Sequence, residues 1–447
     1  MNAEHTVQGV PISHIVAEHG TPCYVYDGDE LGSTITAVRS ALHPRLEVFY
    51  SLKANPNISV CRVLHAHGAR AEVSSMAELV TALRAGVAPQ DVMFLGPGKS
   101  RAEIEACLDA GVYAIICESV PELELIDRLA GERGILAAVA LRVNPSFAVK
   151  GSGLTMGGKA RQFGIDEEQV RNGPRLADSA PHVRLMGVQV YMGTRILSEE
   201  AITENTRRIL GLAEELAQVQ GFELELVDVG GGLGVAYFEG ERDLDLAQLG
   251  AGVNPLIEDF TARHPGTRVA MELGRYLTAT AGIYVTRVRY TKTSLGERFA
   301  VTDGGTNHHM AAVGIGSFVK RNFPVRLLSA GPEGPTEPWN VTGPLCTPND
   351  VVARRADLPP LHAGDLIGVL RSGAYGPSAS PVFFLSHGYP AEVLVLGGRA
   401  HLVREPDDTA AVLRGQRLVN LPLPREDHDP DPHPFQLVAV PALQPLA

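Results

Sequence analysis

The chain has 447 residues, which is more than the roughly 250 to 300 at which a single hydrophobic core usually stops growing, so two domains are expected. Its formal net charge of −12 and its lack of a basic tract argue against nucleic acid or an anionic membrane as a main partner. Five scattered cysteines without a Cys-x-x-Cys pair argue against a disulfide framework or a zinc site, so no metal is expected and a cytoplasmic location is favoured.

Membrane targeting is not predicted from the sequence. The polar N-terminus, Met1 to Gly9, has no apolar core of the kind found in signal peptides. No later stretch reaches the roughly 18 uninterrupted apolar residues that a membrane-spanning helix requires.

The first part of the chain alternates short apolar strands with amphipathic helices. The predicted strands are Glu47–Ser51, Asp91–Leu95, Tyr113–Cys117, Ala138–Val143, Leu185–Tyr191, Leu224–Val229 and Arg268–Glu272. The predicted helices between them include Ser75–Ala85, Ala102–Ala110, Val120–Ala130 and Glu199–Gln220. Seven or eight strand-helix units over about 250 residues fit an α/β fold of the (β/α)8 TIM-like barrel type better than a doubly wound sheet, and we assign it to residues 28–280.

The alternation of predicted strands and helices ends after Gly282. Runs such as Ile283–Tyr290 and Ala391–Leu396 are separated by Gly and Pro turns, without long helices between them. This pattern predicts a β-rich C-terminal domain, formed by residues 281–447 together with 1–27. The proline-rich, charged tail after Leu421 is expected to be loosely ordered.

Lys53 is the most informative residue, because it closes the apolar run Val48–Leu52. A lysine in that position delivers its ammonium to the open end of a sheet or barrel, where burial lowers its pKa toward a neutral, nucleophilic amine. A Schiff-base lysine needs this property. The alternative is an ordinary surface lysine, but the chain has only six lysines among its 39 basic residues and uses arginine where a plain positive charge suffices.

Two further groups come directly after barrel strands. Gly230–Gly232 ends one strand, and consecutive glycines let backbone N–H groups approach a phosphate. The spacing does not fit the dinucleotide fingerprint, because the sixth position from Gly230 is Val235. Glu272 and Arg275 close the next strand, where they form either a structural ion pair or the two ends of a pyridoxal 5′-phosphate site, with the carboxylate on the pyridinium N–H and the guanidinium near the phosphate.

An ordered series of motifs carries a family resemblance. These are Tyr50-Ser51-Leu52-Lys53-Ala54-Asn55, Glu72-Val73-Ser74-Ser75 with Glu78, Leu141-Arg142-Val143-Asn144-Pro145, Gln162-Phe163-Gly164, Tyr191-Met192-Gly193-Thr194, the glycine turn, Glu272-Leu273-Gly274-Arg275, Asp303-Gly304-Gly305, Gly343-Pro344-Leu345-Cys346 and Ser372-Gly373-Ala374-Tyr375-Gly376. From about Thr21 to Val395 the chain resembles the fold-type III, alanine-racemase-like decarboxylases that depend on pyridoxal phosphate, the ornithine/diaminopimelate/arginine decarboxylase family.

The resemblance implies a role for each matching residue. Lys53 carries the cofactor as a Schiff base, Glu272 keeps the pyridine nitrogen protonated, and Cys346 of the partner subunit returns a proton to Cα, which implies a homodimer with shared active sites. The implied cofactor-binding residues are Lys53, Glu72, Arg142, Tyr191, Thr194, Gly231, Gly232, Glu272, Gly274, Arg275 and Tyr375. Tyr191 replaces the family's ring-stacking histidine and is retained as a ring contact, and Leu273 stands where proline is common.

Substrate choice depends on the residue directly after Cys346. Diamine-forming relatives have an acidic residue there, whereas this chain has Thr347, so a distal ammonium would lack a counter-charge. Four segments resemble a branch that acts on siderophore, exosortase-associated or carrier-protein-bound intermediates, namely Lys150-Gly151-Ser152-Gly153, Met156-Gly157-Gly158, Asn307-His308-His309 and Arg321-Asn322-Phe323-Pro324. We therefore expect decarboxylation of a free or carrier-bound amino acid with an acylated or anionic side chain, and the candidate substrate contacts are Arg321, Lys150, His308 and Asp350.

Other interpretations remain open at this stage. One alternative is a decarboxylase of diaminopimelate or another free amino acid. Another is a racemase on the same fold, although a carboxylate at Glu272 favours decarboxylation. A non-catalytic relative is a third class, and intact Lys53, Glu272 and Cys346 argue against it. His308 also fits an ordinary loop histidine, and Lys150 a solvated side chain.

Overall fold

A computed structural model describes residues 3–148, 154–155, 158–313, 321–331 and 335–419. Its strands are, in chain order from β1 to β22, Thr6–Val7, Val10–Pro11, Cys23–Asp27, Leu46–Ser51, Arg70–Val73, Val92–Phe94, Ala114–Cys117, Ala137–Asn144, Leu154–Thr155, Ile165–Asp166, Val183–Gln189, Gly193–Thr194, Leu226–Gly231, Arg268–Leu273, Gly282–Ser294, Glu297–Thr302, Val325–Leu327, Glu337–Thr342, Val351–Leu358, Leu366–Val369, Ala391–Leu396 and Arg399–Arg404. Its helices, α1 to α11, are Ile12–His19, Gly28–Ala41, Ile58–Ala66, Met76–Arg84, Arg101–Ala110, Val120–Arg133, Glu167–Asn172, Glu199–Gln220, Leu246–Arg263, Arg275–Thr278 and Thr409–Leu413.

Eight parallel strands close into a barrel, which confirms the predicted fold. The order around the barrel is β4, β5, β6, β7, β8, β11, β13 and β14, and β14 pairs with β4 to complete the ring. Nearly all residues of these strands are buried, as expected for a sheet that is filled on the inside and covered by helices on the outside. The short strand β10 extends the sheet beside β8.

Serine caps begin four of the helices on the outside of the barrel. The side chains of Ser75, Ser100, Ser119 and Ser198 accept backbone N–H groups in the first turns of α4, α5, α6 and α8. Such a cap typically contributes about 1 kcal/mol to helix stability. At Ser100 the glutamate three residues later completes a capping box. The Ser-x-x-Glu spacing therefore fixes the starts of α4, α5 and α6.

A second, mixed sheet is formed largely by the C-terminal part of the chain. Its order is β19, β18, β16, β15, β3, β21 and β22, and β20 joins β15 to β17. Strand β3, which precedes the barrel in sequence, lies between β15 and β21. The residues before the barrel thus share a sheet with those after it.

The two sheets meet at the turn that carries Lys53. The N–H of Tyr375 donates to the carbonyl of Ala54 at 2.7 Å, and the amide of Asn55 donates to the carbonyl of Gly373 at 3.0 Å. The amide of Asn57 donates to the buried carboxylate of Glu392 at 2.8 Å. These contacts hold the lysine turn and Tyr375 in a fixed relation. Among the described residues, we find no helix with the length and apolar character needed to cross a membrane.

Candidate active site

The carboxyl ends of the barrel strands surround one cavity of about 410 Å³. Lys53 comes just after β4, Arg142 lies in β8, Gln189 ends β11 and Glu272 lies in β14. Parallel barrel strands all end at the same face, which is where the active sites of such barrels are found. The lining residues are Lys53, Ser74, Leu95, Gly96, Pro97, Arg142, Phe163, Gln189, Tyr191, Thr194, Glu272, Arg275 and Tyr375.

Lys53 reaches into this cavity between two carboxylates. Its Nζ lies 2.8 Å from Glu72 Oε2 and 4.0 Å from Glu272 Oε2. Burial acts to lower the pKa of Lys53, but attraction to Glu72 and Glu272 outweighs it and raises the pKa above the ordinary value of 10.5. The expectation of a lowered pKa was therefore wrong for the protein without cofactor, because sequence position revealed the burial but not the two anions.

Glu72 is the closer partner of this lysine and is fully buried at the end of β5. The hydroxyl of Ser74 donates to its Oε1 at 2.8 Å, so both oxygens are engaged. Burial alone would raise the pKa of Glu72, but the ammonium and hydrogen bonds from Lys53 and Ser74 lower it. Glu72 thus stays ionised and holds Lys53 in its protonated form.

This pairing predicts a pH shift in the Glu72→Gln variant. Because Lys53 must lose its proton before it attacks an aldehyde, formation of the Schiff base by the apoenzyme should accelerate as the pH rises. Removing the Glu72 charge lowers the pKa of Lys53, so this profile should move to lower pH by about 1 to 3 units. Stopped-flow absorbance of the apoenzyme mixed with pyridoxal 5′-phosphate across pH measures the shift. An unchanged or alkaline-shifted profile would contradict the pairing.

Glu272 faces the same cavity from β14 and is 2% exposed. The amide of Gln189 donates to its Oε1 at 2.8 Å, while its Oε2 has no hydrogen-bond donor among the described residues. Burial and the nearby charge of Glu72 raise the pKa of Glu272. A buried acceptor that lacks a donor is suited to receive an N–H from a ligand.

The glycine turn packs against the backbone of two cavity-lining segments, at Glu272 and beside Thr194. Gly230 and Gly232 have φ angles of 67° and 91°, which favour glycine. A side chain at Gly231 would collide with the carbonyl of Glu272, and one at Gly232 with the carbonyl of Gly193. The backbone of Gly193 therefore passes close to this turn, and the next residue, Thr194, lines the cavity.

Arg275 begins the short helix after β14. Its Nη1 donates to the hydroxyl of Tyr237 at 3.0 Å, and its guanidinium carbon lies 4.6 Å from the centre of the Tyr375 ring. The buried Nε has no acceptor among the described residues. Gly274 before it is tightly packed, because a Cβ there would lie 2.8 Å from the Cβ of Ala54. The close packing places a free guanidinium N–H beside the lysine turn.

Aromatic rings and a buried ion pair complete the cavity. The ring centre of Tyr191 lies 5.8 Å from Lys53 Nζ, and burial raises the pKa of Tyr191 to about 12, so its hydroxyl stays protonated. Arg142 donates to Glu118 Oε1 at 2.6 Å and lies 4.8 Å from the ring centre of Phe163. Tyr191 thus presents a neutral aromatic ring next to the lysine.

These residues fit pyridoxal 5′-phosphate by observations within the cavity itself. Glu272 Oε2 can accept the pyridinium N–H, and Arg275 Nε with the glycine turn can donate to the phosphate. Lys53 supplies the amine that the aldehyde requires, and Tyr191 can lie against the ring.

Residues 29–279 match the family model described as the pyridoxal-binding domain of pyridoxal-dependent decarboxylases. The chain belongs to this family. The chain is 37% identical to the L-glutamyl-[BtrI acyl-carrier protein] decarboxylase of Niallia circulans, covering 88% of this chain and 93% of that protein. It is 33% identical to the diaminopimelate decarboxylase of Pseudomonas aeruginosa, covering 94% and 98%.

Solved structures give the same result. The diaminopimelate decarboxylase of Helicobacter pylori complexed with L-lysine matches with a TM-score of 0.81 and 27% identity, covering 90% of this chain and 98% of that one. This pyridoxal-dependent decarboxylase therefore uses pyridoxal phosphate to remove the carboxylate of an amino acid, as its resemblance implied.

Cys346 and Arg321 are not among the described residues that line the cavity of this protomer. Cys346 is exposed in the segment after β18, whereas the other four cysteines are buried. Arg321 is exposed, with its guanidinium carbon 5.8 Å from the centre of the Phe238 ring. Lys150 lies outside the described residues. The structure of one chain thus brings together the cofactor residues, and the substrate assignments stay predictions.

His308 and Asp350 are buried in the β-rich part of the chain. His308 Nε2 lies 2.9 Å from the carbonyl of Gly388, and burial lowers the pKa of His308 to about 4. Asp350 accepts from the N–H and hydroxyl of Thr306 and from the N–H of Leu345. Both side chains are therefore committed to contacts within their own domain in this protomer.

Gln189 lines the cavity but was not identified from the sequence. It ends β11 and precedes Tyr191, a predicted site residue, by two positions. Because side chains alternate along a strand, this spacing was the signal that could have identified it.

Proposed function

We propose that the enzyme decarboxylates an amino acid whose side chain ends in an acyl linkage or an anionic group, including one attached to a carrier protein. The apolar side of the cavity carries this proposal. It is formed by Leu95, Gly96, Pro97 and Phe163, none of which can neutralise an ammonium group. Burying an unpaired ion typically costs several kcal/mol. A substrate whose side chain does not end in an ammonium group is therefore favoured over free ornithine or lysine.

The similarity to a decarboxylase of glutamyl groups on an acyl-carrier protein supports the same substrate class. Thr347 after Cys346 agrees with it, because a threonine cannot pair with a distal ammonium. Arg321 remains the candidate contact for an anionic or carrier-linked far end, since its guanidinium is exposed. Lys150 also remains a candidate. His308 and Asp350 are bonded within their own domain, so a substrate contact from either would have to come from a second subunit or a rearranged loop.

The proposed roles derive from the contacts. When bound, the cofactor accepts the electron pair released as the Cα–carboxylate bond breaks. Glu272 would hold the ring N–H through Oε2, Arg275 and Thr194 would hold the phosphate with Gly231 and Gly232, and Tyr191 would lie against the ring. Glu72 would hold Lys53 and Arg142 would stay paired with Glu118 at the same cavity, while Gly274 and Tyr375 would shape its edge.

We also propose a homodimer in which Cys346 enters the partner's cavity. Its exposure fits a residue that acts outside its own protomer, and no cysteine among the described residues lines the barrel mouth of the same chain. The thiol would then deliver a proton to Cα after carboxylate loss.

A substrate panel tests the proposal. Purified enzyme with pyridoxal phosphate is incubated separately with the γ-glutamyl thioester of pantetheine, the corresponding γ-glutamyl amide, free glutamate, ornithine, lysine and diaminopimelate. The CO2 released from each is measured. The acylated substrates should exceed free ornithine and lysine in kcat/KM by at least about 100-fold, because only the diamino acids bring an unpaired ammonium.

Efficient turnover of free ornithine or lysine would contradict the acylated-substrate proposal. Diaminopimelate is the second candidate, because the chain is 33% identical to a diaminopimelate decarboxylase over nearly its whole length. Preferential turnover of diaminopimelate would establish that alternative. A product that keeps its carboxylate and changes only configuration would instead identify a racemase, although the carboxylate at Glu272 argues against it.

A further inference from the structure

We propose that Asp228 is a positioning residue which stays protonated and donates a hydrogen bond to Glu272, so that Glu272 alone presents a negative charge to the cofactor ring. Asp228 lies in β13 and is fully buried. Its strand pairs with β14, where Gly231 is the register partner of Glu272. Both carboxyls are buried on these neighbouring strands, and Asp228 Oδ2 and Glu272 Oε2 each lack a hydrogen-bond donor among the described residues. Glu272 acts on the pKa of Asp228 through its charge and a side-chain hydrogen bond.

The hydrogen-bond donors around the carboxyl groups of Asp228 and Glu272 are consistent with one proton shared between them. Asp228 Oδ1 accepts the N–H of Gly230 at 2.9 Å, and Glu272 Oε1 accepts the amide of Gln189 at 2.8 Å. Asp228 Oδ2 has no donor among the described residues. Ionised carboxylates only accept hydrogen bonds, so a contact between two of them in a dry site requires a proton on one.

The local charges place that proton on Asp228. Lys53 forms ion pairs with Glu72 and Glu272, but none with Asp228 in the part of the chain that the structure describes. Burial and the neighbouring charges of Glu272 and Glu72 raise the pKa of Asp228 well above its usual value. The pKa of Glu272 is raised as well, but Glu272 also gains from Lys53 and Gln189. It is therefore the better anion of the pair.

A neutral Asp228 has a defined consequence for the cofactor. An ionised carboxylate has about four acceptor positions, so Glu272 can accept the Asp228 O–H and the Gln189 amide and still accept the ring N–H at Oε2. An ionised Asp228 would instead add a second buried negative charge and raise the proton affinity of Glu272, so that Glu272 itself would be neutralised. Asp228 thus acts through Glu272 and does not need to touch the cofactor.

Comparison of Asp228→Asn with Asp228→Ala tests this role. Asparagine keeps one acceptor for the Gly230 N–H and one donor for Glu272, and it is always neutral. The Asn variant should bind pyridoxal phosphate within about threefold of the wild type with an unchanged visible spectrum, whereas the Ala variant should bind about 10- to 100-fold more weakly with an altered spectrum. Titration of the apoenzyme gives both quantities without relying on turnover.

Infrared spectroscopy of the apoenzyme provides an independent readout that does not require the Ala variant to fold. The wild type should have a band from a buried neutral carboxyl group, and the Asn variant should lose it. Asp243→Asn is the matched control, because Asp243 pairs with Arg371 at 2.8 Å and its pKa is lowered, so this variant should keep the band. Equal impairment of cofactor binding in both Asp228 variants, or a band that survives in Asp228→Asn, would overturn the proposal.

Discussion

Replacing Lys53 with alanine is expected to abolish covalent attachment of the cofactor and to reduce decarboxylation by at least about 10³-fold, because the nucleophilic amine is removed from its place between Glu72 and Glu272. The measurement is CO2 release by the purified variant, together with the visible absorbance of the bound cofactor. Since the Lys53 side chain is 38% exposed to the open cavity, its truncation should leave folding intact.

Borohydride reduction supplies the direct control for this prediction. Reduction of the wild-type holoenzyme and subsequent peptide mapping should label Lys53. Lys99 is the matched internal reference, since it is also buried but donates to two backbone carbonyls and to Glu122. Label on Lys99, or an unlabelled Lys53, would remove the basis for the proposed chemistry.

The barrel could be predicted because its repeating unit produces local sequence patterns. Seven apolar runs matched barrel strands, and the serine caps marked where several helices begin. The missing eighth strand was β5, Arg70–Val73, which is short and carries two charged residues. Its Glu72 is buried because the barrel brings Lys53 to it. A search for apolar runs cannot identify a strand whose polar residue is neutralised by a distant part of the chain.

The candidate site was predictable residue by residue but not in its electrostatics. The ordered motifs gave Lys53, Glu272 and Arg275, and the structure gathers them at one cavity. The raised pKa of Lys53 depends on two carboxylates that lie 19 and 219 residues further along the chain. The proposed interaction of Asp228 with Glu272 likewise depends on the pairing of β13 with β14 in the folded barrel. These electrostatic interactions arise only when the fold brings distant charged residues together.

The environments of the candidate site residues in the β-rich part of the chain were the least predictable from the sequence. His308 and Asp350 stand in polar segments that suggest exposed loops, yet both side chains are buried and bonded within the domain. Tyr24 and Tyr284 donate to backbone carbonyls in the same buried cluster. In a mixed sheet whose strands come from distant parts of the sequence, local composition does not reveal which polar loops turn inward.

Mixing two inactive variants tests the proposed shared active site. Lys53→Ala and Cys346→Ala should each be impaired, the second by at least about 100-fold if the thiol is the proton donor. If Cys346 acts on the partner's cavity, a mixed dimer contains one site with both residues intact and one site with neither. Equal mixing makes half of the dimers mixed, so activity should return to about one quarter of the wild-type value.

The two variants are denatured together, refolded and assayed for CO2 release, with each variant refolded alone as the control. Cys107→Ala, which removes a buried cysteine of helix α5, is the matched variant for loss of a thiol, and on its own it should retain activity. If Cys346 served the cavity of its own protomer, every site in every dimer would lack one of the two residues. Mixing would then restore nothing, so the absence of recovered activity in a verified mixed dimer would refute the shared site.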